Sequence, residues 1–302
     1  MKTKLQTKSQ PKSKIDLWCV LLLIILCASW GFNQVAIKVG IEGVSPVFQA
    51  GLRSAGSGIL VWLWMVLRKR PVCERDGTLW WGLFAGALFA VEFILIYWGL
   101  EFTTASRSVI FLNTSPFIVA LGAHAFVKTE SLSRTQVLGL VLAFLGIFAA
   151  FHESFSLPTR DMVLGDTMLL AAAVAWGTVT VVIKATPLTR ISPSKVLLYQ
   201  LGISAPILFA ASALLGEPGI KQMTPMVTAS LTYQIVWIAF ITYVAWFWLI
   251  RRYPVSRIAP FTFLSPLFGV MAGALLLDEP VTIFLVCALV LVAAGIYLVN
   301  RK

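Results

Sequence analysis

Long apolar runs separated by short polar segments dominate the chain. Ten of them approach the roughly 20 residues that a helix needs to cross a hydrocarbon core about 30 Å thick. They cover about 17–38, 46–67, 79–99, 106–127, 135–151, 163–185, 194–215, 228–249, 256–277 and 281–299. These runs lack the alternating polarity of barrel strands, and in lipid only helices and closed barrels satisfy their own backbone hydrogen bonds. The pattern therefore predicts an all-α integral membrane protein with ten transmembrane helices.

Composition supports a bilayer environment. Hydrophobic residues make up 59% of the chain and charged residues 12%, about half the charge of an ordinary soluble domain. The net charge of +11 is spread over alternate loops instead of one basic patch, which argues against a nucleic-acid partner. The four cysteines show no metal-ligand spacing. Residues 1–16 contain five lysines and few apolar residues, which is typical of a solvated tail.

The positive charges also predict an orientation. If the amino terminus is cytoplasmic, 19 of the 24 Lys and Arg residues fall on the cytoplasmic side, as the positive-inside rule requires. Both termini are then cytoplasmic, and the protein is expected in a bacterial-type inner (plasma) membrane.

The sequence contains two similar halves. Ala28-Ser29-Trp30-Gly31 resembles Val174-Ala175-Trp176-Gly177, at an offset of 146 residues. Further matches follow in the same order at offsets up to 150: Lys38 with Lys184, Ser106-Arg107 with Ser256-Arg257, Ser115-Pro116 with Ser265-Pro266, Glu130 with Glu279, and Gly146 with Gly295. We therefore expect a cytoplasmic tail at 1–16, a first repeat at 17–151, a linker at 152–162 and a second repeat at 163–300.

Each repeat has an odd number of spans, five, so the second must enter the membrane from the opposite side. The expected fold is two inverted five-helix repeats. Inverted repeats are a signature of secondary transporters that work by alternating access.

The motif at 28–38, together with Arg53, Pro116, Glu130 and Gly146, resembles the EamA-type proteins of the drug/metabolite transporter superfamily. The second half matches at Trp176, Gly177, Pro266, Glu279 and Gly295. The resemblance covers about 17–300 and implies ten helices in two inverted halves. It also implies transport of amino acids, other metabolites or cationic drugs, often outward. The chain departs from the pattern at Gln200, where a counterpart of Arg53 is expected.

Arg53 and Glu92 are the sharpest candidates for transport chemistry. Both are predicted about 10 Å deep, on neighbouring antiparallel helices, where ionisable groups are expensive unless paired or wet. One interpretation is that Glu92 titrates during transport or binds a cationic group of the solute, so that protons are a candidate coupling ion. The other is a permanent structural ion pair. The position that matches Glu92 in the second half is Thr242.

Trp30 and Trp176 are predicted near the middle of the membrane. They are expected to form two aromatic walls of one substrate cavity, or alternatively to pack beside Gly31 and Gly177. Pro116 and Pro266 predict helix kinks. Further substrate-binding candidates are Asn33, Gln34, Glu92, Tyr97, Asn113, Ser115, Thr178, Tyr243, Trp246 and Ser265.

Several functional classes find no support. The chain has no phosphate-binding Gly-rich loop followed by Lys-Ser/Thr, so no nucleotide is expected to power it. No cofactor, metal site or catalytic constellation is indicated. The sequence predicts a secondary transporter for a small organic solute, with a passive channel and a membrane-embedded enzyme as the alternatives.

Overall fold

The computed structural model of the chain describes residues 15–72, 76–103, 105–151, 159–277 and 283–301. Within these ranges the chain is helical and contains no β-strand, so the all-α prediction is confirmed for them. The basic tail up to residue 14, linker residues 152–158, Glu279 and the side chain of Gln34 lie outside the described residues.

The α-helices follow one another through the chain with short connections. They are α1 Leu17–Gly43, α2 Pro46–Leu67, α3 Leu79–Phe102, α4 Ala105–Leu112, α5 Ser115–Phe126, α6 Arg134–Phe151, α7 Arg160–Ala185, α8 Pro193–Leu214, α9 Pro225–Thr232, α10 Tyr243–Arg252, α11 Val255–Ile258, α12 Leu264–Leu277 and α13 Ile283–Asn300. A π-helix, Tyr233–Thr242, joins α9 to α10, and 3-10 turns cover Pro187–Arg190 and Ala259–Phe263.

Eight helical segments of the described chain are long and apolar enough to cross a membrane. Two shorter apolar helical stretches, Val255–Met271 and Val286–Asn300, follow them. The chain is therefore an integral membrane protein by length and composition of its helices.

Helix boundaries follow from local chemistry. Asp16 precedes α1, and its carboxylate accepts the N–H of Cys19 at 3.0 Å. Proline opens α2, α8 and α9, where its missing N–H costs nothing because the first-turn donors have no partner within the helix. These caps let each helix start cleanly after a short loop.

Contacts between loops define two faces of the bundle. At the first face, where α1 begins, Tyr253 Oη donates to Asp16 at 2.9 Å, and Lys195 Nζ donates to Asp76 at 2.6 Å. At the second face, where α1 ends, Val44 forms an isolated antiparallel bridge with Ile220. Successive spanning segments therefore run in alternating directions.

The fourth and ninth spans are interrupted. A break at Asn113 and Thr114 separates α4 from α5, and their side chains donate to the carbonyls of Val109 and Phe111, both at 2.7 Å. The ninth span changes to a 3-10 turn at Ala259–Phe263 before α12 begins. Each break therefore lies just before Pro116 or Pro266, and side chains satisfy backbone carbonyls that the break releases.

Glycines allow the helices to approach closely. A methyl group on Gly82 or Gly86 of α3 would collide with Tyr199 or Ile203 of α8, and one on Gly139 of α6 would lie 2.6 Å from the carbonyl oxygen of Gly295 in α13. Small residues therefore set the spacing at these helix pairs, as is common in membrane proteins.

Candidate functional site

An aromatic cluster in the middle of the bundle is contributed by α1, α3 and α10. The Trp30 ring lies 5.5 Å from Trp246 and 6.5 Å from Tyr243, in edge-to-face geometry. Tyr243 in turn lies 6.1 Å from Phe89. Edge-to-face contacts at these distances are favourable, so the rings form one continuous aromatic surface.

The cluster continues along one face of α3. Phe89, Phe93 and Tyr97 are spaced four residues apart, which places them on the same side of a helix. Their ring centroids are separated by 4.8 Å and 6.2 Å in succession. The sequence reasoning did not single out Phe89 and Phe93, although their spacing from Tyr97 was a usable signal.

The buried guanidinium group of Arg53 packs against this aromatic face. The Arg53 guanidinium carbon lies 4.0 Å from the centroid of the Phe93 ring, and the side chain is 1% exposed. Its Nε and Nη2 atoms have no hydrogen-bond partner within the described structure. Two directed donors of a guanidinium therefore remain available to a carboxylate or another acceptor.

Glu92 and Tyr97 add further unpartnered polar atoms. Glu92 Oε2 and Tyr97 Oη are buried without a hydrogen-bond partner, and both groups lie within electrostatic range of Arg53. No hydrogen bond or ion pair joins Arg53 to Glu92 in the part of the chain that the structure describes. Buried polar groups are normally satisfied, so this concentration distinguishes the site from ordinary core.

Hydrogen bonds fix the first span against the eighth. Trp30 Nε1 donates to Thr242 Oγ1 at 2.9 Å. One residue earlier, Ser29 receives bonds from Tyr233 Oη at 3.1 Å and Trp237 Nε1 at 2.9 Å. All three partners lie on the π-helix, a rare conformation that is frequently found at functional sites.

The remaining predicted residues divide into two groups. In the first group, Asn33 Oδ1 and Ser265 Oγ are buried without a hydrogen-bond partner, as is expected of atoms that bind a solute. Asn113 instead bonds to its own helix, and Ser115 is buried beneath the break in the fourth span.

Trp176 and Thr178 lie on α7 on either side of Gly177, whose close neighbour is Ile118 of α5. Both side chains are half-buried. No ring contact joins Trp176 to the Trp30 cluster among the described residues. The structure thus brings Trp30, Tyr243, Trp246, Tyr97 and Arg53 to one cluster and leaves Trp176 outside it.

Apart from this cluster, a shallow groove of about 790 Å³ lies along the part of the eighth span that is nearest the second face. Its lining includes Thr228, Thr232, Tyr233 and Trp237. The hydroxyls of Thr228 and Thr232 bond to their own helix, so the groove offers little polar chemistry. We therefore assign the candidate site to the cluster and not to this groove.

Carboxylates also tie the two halves together at the faces. At the first face Glu130 accepts the N–H groups of Val255 and Ser256 at 3.0 and 2.9 Å, and the Ser256 hydroxyl at 2.6 Å. At the second face Glu217 accepts the N–H groups of Val47 and Phe48 at 3.0 and 2.9 Å. Each carboxylate thus caps the first turn of a span in the other half.

A third carboxylate, Asp166, accepts from Thr103 Oγ1 at 2.8 Å and pairs with Arg107 at the second face. Within the described residues no group of three or more His, Cys, Asp or Glu side chains could hold a metal ion.

Comparison with known proteins identifies the class. The model of the EamA-like transporter family matches the chain twice, over residues 17–151 and 163–301. The protein belongs to this family of membrane transporters.

Two relatives carry a functional name. A protein of Salmonella typhimurium, named "Probable amino-acid metabolite efflux pump", is 30% identical over 294 residues, covering 95% of each chain. A protein of Escherichia coli with the same name is 28% identical, over 92% of this chain and 93% of that protein. A solved structure at 16% identity matches 93% of this chain and 97% of its own, with a TM-score of 0.80; this likeness concerns the fold alone.

Proposed function

We propose that the protein is a secondary-active exporter of amino-acid-like solutes that works by alternating access. The carrier consists of two inverted five-helix repeats, 17–151 and 163–300, joined by the linker 152–162. It lies in the bacterial inner membrane with both termini cytoplasmic. The family, the double match and the names of the two relatives support this proposal.

One observation carries the assignment of the site. Arg53 and Glu92 are both buried, with unpartnered atoms, beside an uninterrupted aromatic surface. A solute with a carboxylate can bind the two free guanidinium donors, and an ammonium group can bind the Glu92 carboxylate. Its apolar part then packs on Trp30, Tyr243 and Phe89. Such a site favours small zwitterionic solutes.

Glu92 also provides a route for protons. It is a buried carboxylate within electrostatic range of Arg53 and Tyr243, and it makes no ion pair in the described structure. A proton and a cationic group of the solute cannot bind to the Glu92 carboxylate at the same time. Such competition couples inward proton flow to outward solute flow, provided that only singly occupied states change access.

The test is transport in proteoliposomes. Counter-flow of amino acids should be accelerated by solute on both sides, and Glu92→Gln should abolish the pH dependence of uptake while the protein still inserts. Glu101→Gln is the matched control, because Glu101 is exposed on the same helix. Flux without counter-flow acceleration would indicate a channel, chemical change of the solute would indicate an enzyme, and unchanged pH dependence in Glu92→Gln would reject the proton route.

A further inference from the structure

The hydrogen bond between Trp30 and Thr242 joins two positions that each have a counterpart in the other half. Trp30 matches Trp176, and Thr242 matches Glu92. In the described structure the first pair is bonded, with Trp30 Nε1 donating to Thr242 Oγ1 at 2.9 Å. The second pair, Trp176 and Glu92, consists of an indole N–H donor and a carboxylate acceptor, and neither forms a side-chain hydrogen bond with the described residues.

The packing of α3 against α7 places Glu92 and Trp176 at the same depth in the helix bundle. A methyl group on Gly99 of α3 would lie 3.2 Å from Met168 Cβ and 3.5 Å from Leu169 Cγ of α7. The two helices run in opposite directions. Two helical turns, about seven residues, lead from Gly99 back to Glu92 and from Leu169 forward to Trp176. Both side chains therefore lie on the faces that the two helices turn toward each other.

We propose that Trp176 is the hydrogen-bond partner of Glu92 in the access state opposite to the one described, so that its indole N–H positions the carboxylate for exchange between solute and proton. This proposal rests on the proposed function. In an inverted carrier the two halves exchange conformations, so a contact made in one half predicts its counterpart in the other half after the transition. Trp176 is then a positioning residue that acts through Glu92.

The two acceptors, the Thr242 hydroxyl and the Glu92 carboxylate, differ in charge. Thr242 Oγ1 accepts from Trp30 while its own hydroxyl donates to the Ile238 carbonyl, so this hydroxyl has a fixed, neutral role. Glu92 offers a carboxylate that accepts several donors, and a charged acceptor strengthens an N–H hydrogen bond. The Trp30–Thr242 contact therefore depends on the access state alone, whereas the Trp176–Glu92 contact depends on both the access state and the charge of its acceptor.

A double-mutant cycle on transport rate tests the proposal. Trp176→Phe removes the indole N–H and keeps an aromatic ring, and Glu92→Met removes the acceptor at similar length. We expect each variant to reduce the rate at least tenfold and the double variant to be no slower than the slower single one. Trp30→Phe with Thr242→Val is the matched positive control, because that bond is described. Trp98→Phe with Glu92→Met is the negative control, because Trp98 is exposed on the outer side of α3.

The outcomes separate this inference from the function on which it rests. Multiplicative effects of Trp176→Phe and Glu92→Met, with coupling in the positive control, overturn the Trp176–Glu92 pair and leave the exporter intact. A Glu92→Met variant that transports like wild type overturns the pair and the role proposed for Glu92, whereas wild-type protein without counter-flow overturns the exporter itself. Melting of each variant in detergent, at a temperature within a few degrees of wild type, shows that rate losses do not reflect misfolding.

Discussion

Glu130 should be one of the most important single carboxylates for stability. It is 7% exposed and accepts the backbone N–H groups of Val255 and Ser256 and the Ser256 hydroxyl. Lys184 Nζ lies 3.9 Å from the same carboxylate. Glu130→Ala leaves three donors unpaired at the start of the ninth span, and each buried unpaired donor costs about 1–3 kcal/mol.

The Lys184 ammonium group adds little to the loss of stability, because it keeps two other acceptors when the carboxylate is removed. These are the carbonyls of Ile250 and Tyr253, at 2.8 and 2.7 Å. We therefore expect Glu130→Ala to lower the free energy of unfolding by about 3–5 kcal/mol. Glu130→Gln retains an acceptor oxygen and should cost about 1–2 kcal/mol.

Unfolding by SDS titration in mixed micelles measures these differences directly. Glu42→Ala is the control, since Glu42 is exposed at the end of α1, and surface substitutions usually stay within about 0.5 kcal/mol. If Glu130→Ala stays within that range too, the Glu130 cap does not stabilise the junction between the halves.

Two further changes test the packing and the first face. Burial raises the pKa of the Asp76 carboxyl, but its hydrogen bonds, including one from Lys195 Nζ at 2.6 Å, have the larger opposite effect. The net pKa is therefore lowered from 3.8 to about 2. Asp76→Asn should therefore lower the melting temperature near neutral pH, and the difference should shrink as the pH falls below about 4 and vanish below about 2; a difference that is undiminished at pH 2 contradicts the pair. Gly295→Ala should destabilise the protein, because the new methyl group would lie 2.7 Å from the Ala143 nitrogen, whereas Gly202→Ala, with no atom within 4 Å, should be neutral or slightly stabilising; equal melting temperatures would refute the close approach.

The sequence reveals the elements that lipid requires. Runs of apolar residues predict the helices, because a spanning segment must be apolar along its whole length. Prolines at 116 and 266 predict where the fourth and ninth spans are irregular, since proline removes a backbone donor. Arg53 and Glu92 stand out because a charge inside an apolar run is costly.

The arrangement around those charges could not be predicted in the same way. In a membrane protein the lipid-facing and the buried sides of a helix are both apolar, so hydrophobic periodicity does not show which side faces inward. In the sequence, Phe89 and Phe93 therefore differ from lipid-facing phenylalanines only in the four-residue spacing that they share with Tyr97. The bond between Trp30 and Thr242 spans 212 positions, and only the packing of the first span against the eighth brings the two residues together.

The repeated positions show how one fold gives unequal halves. Arg53 corresponds to Gln200, and Glu92 corresponds to Thr242, so both ionisable groups of the site come from the first half. The second half contributes Tyr243, Trp246 and the threonine that holds Trp30. Confining the two buried charges to one half limits the desolvation cost, whereas a symmetric site would double it. We infer that the first half determines which charged groups of a solute are accepted, while the second half mainly shapes the apolar wall; exchanging Thr242 for Glu should therefore alter charge selectivity more than it alters the fit of aromatic solutes, which competition assays with charged and neutral analogues can measure.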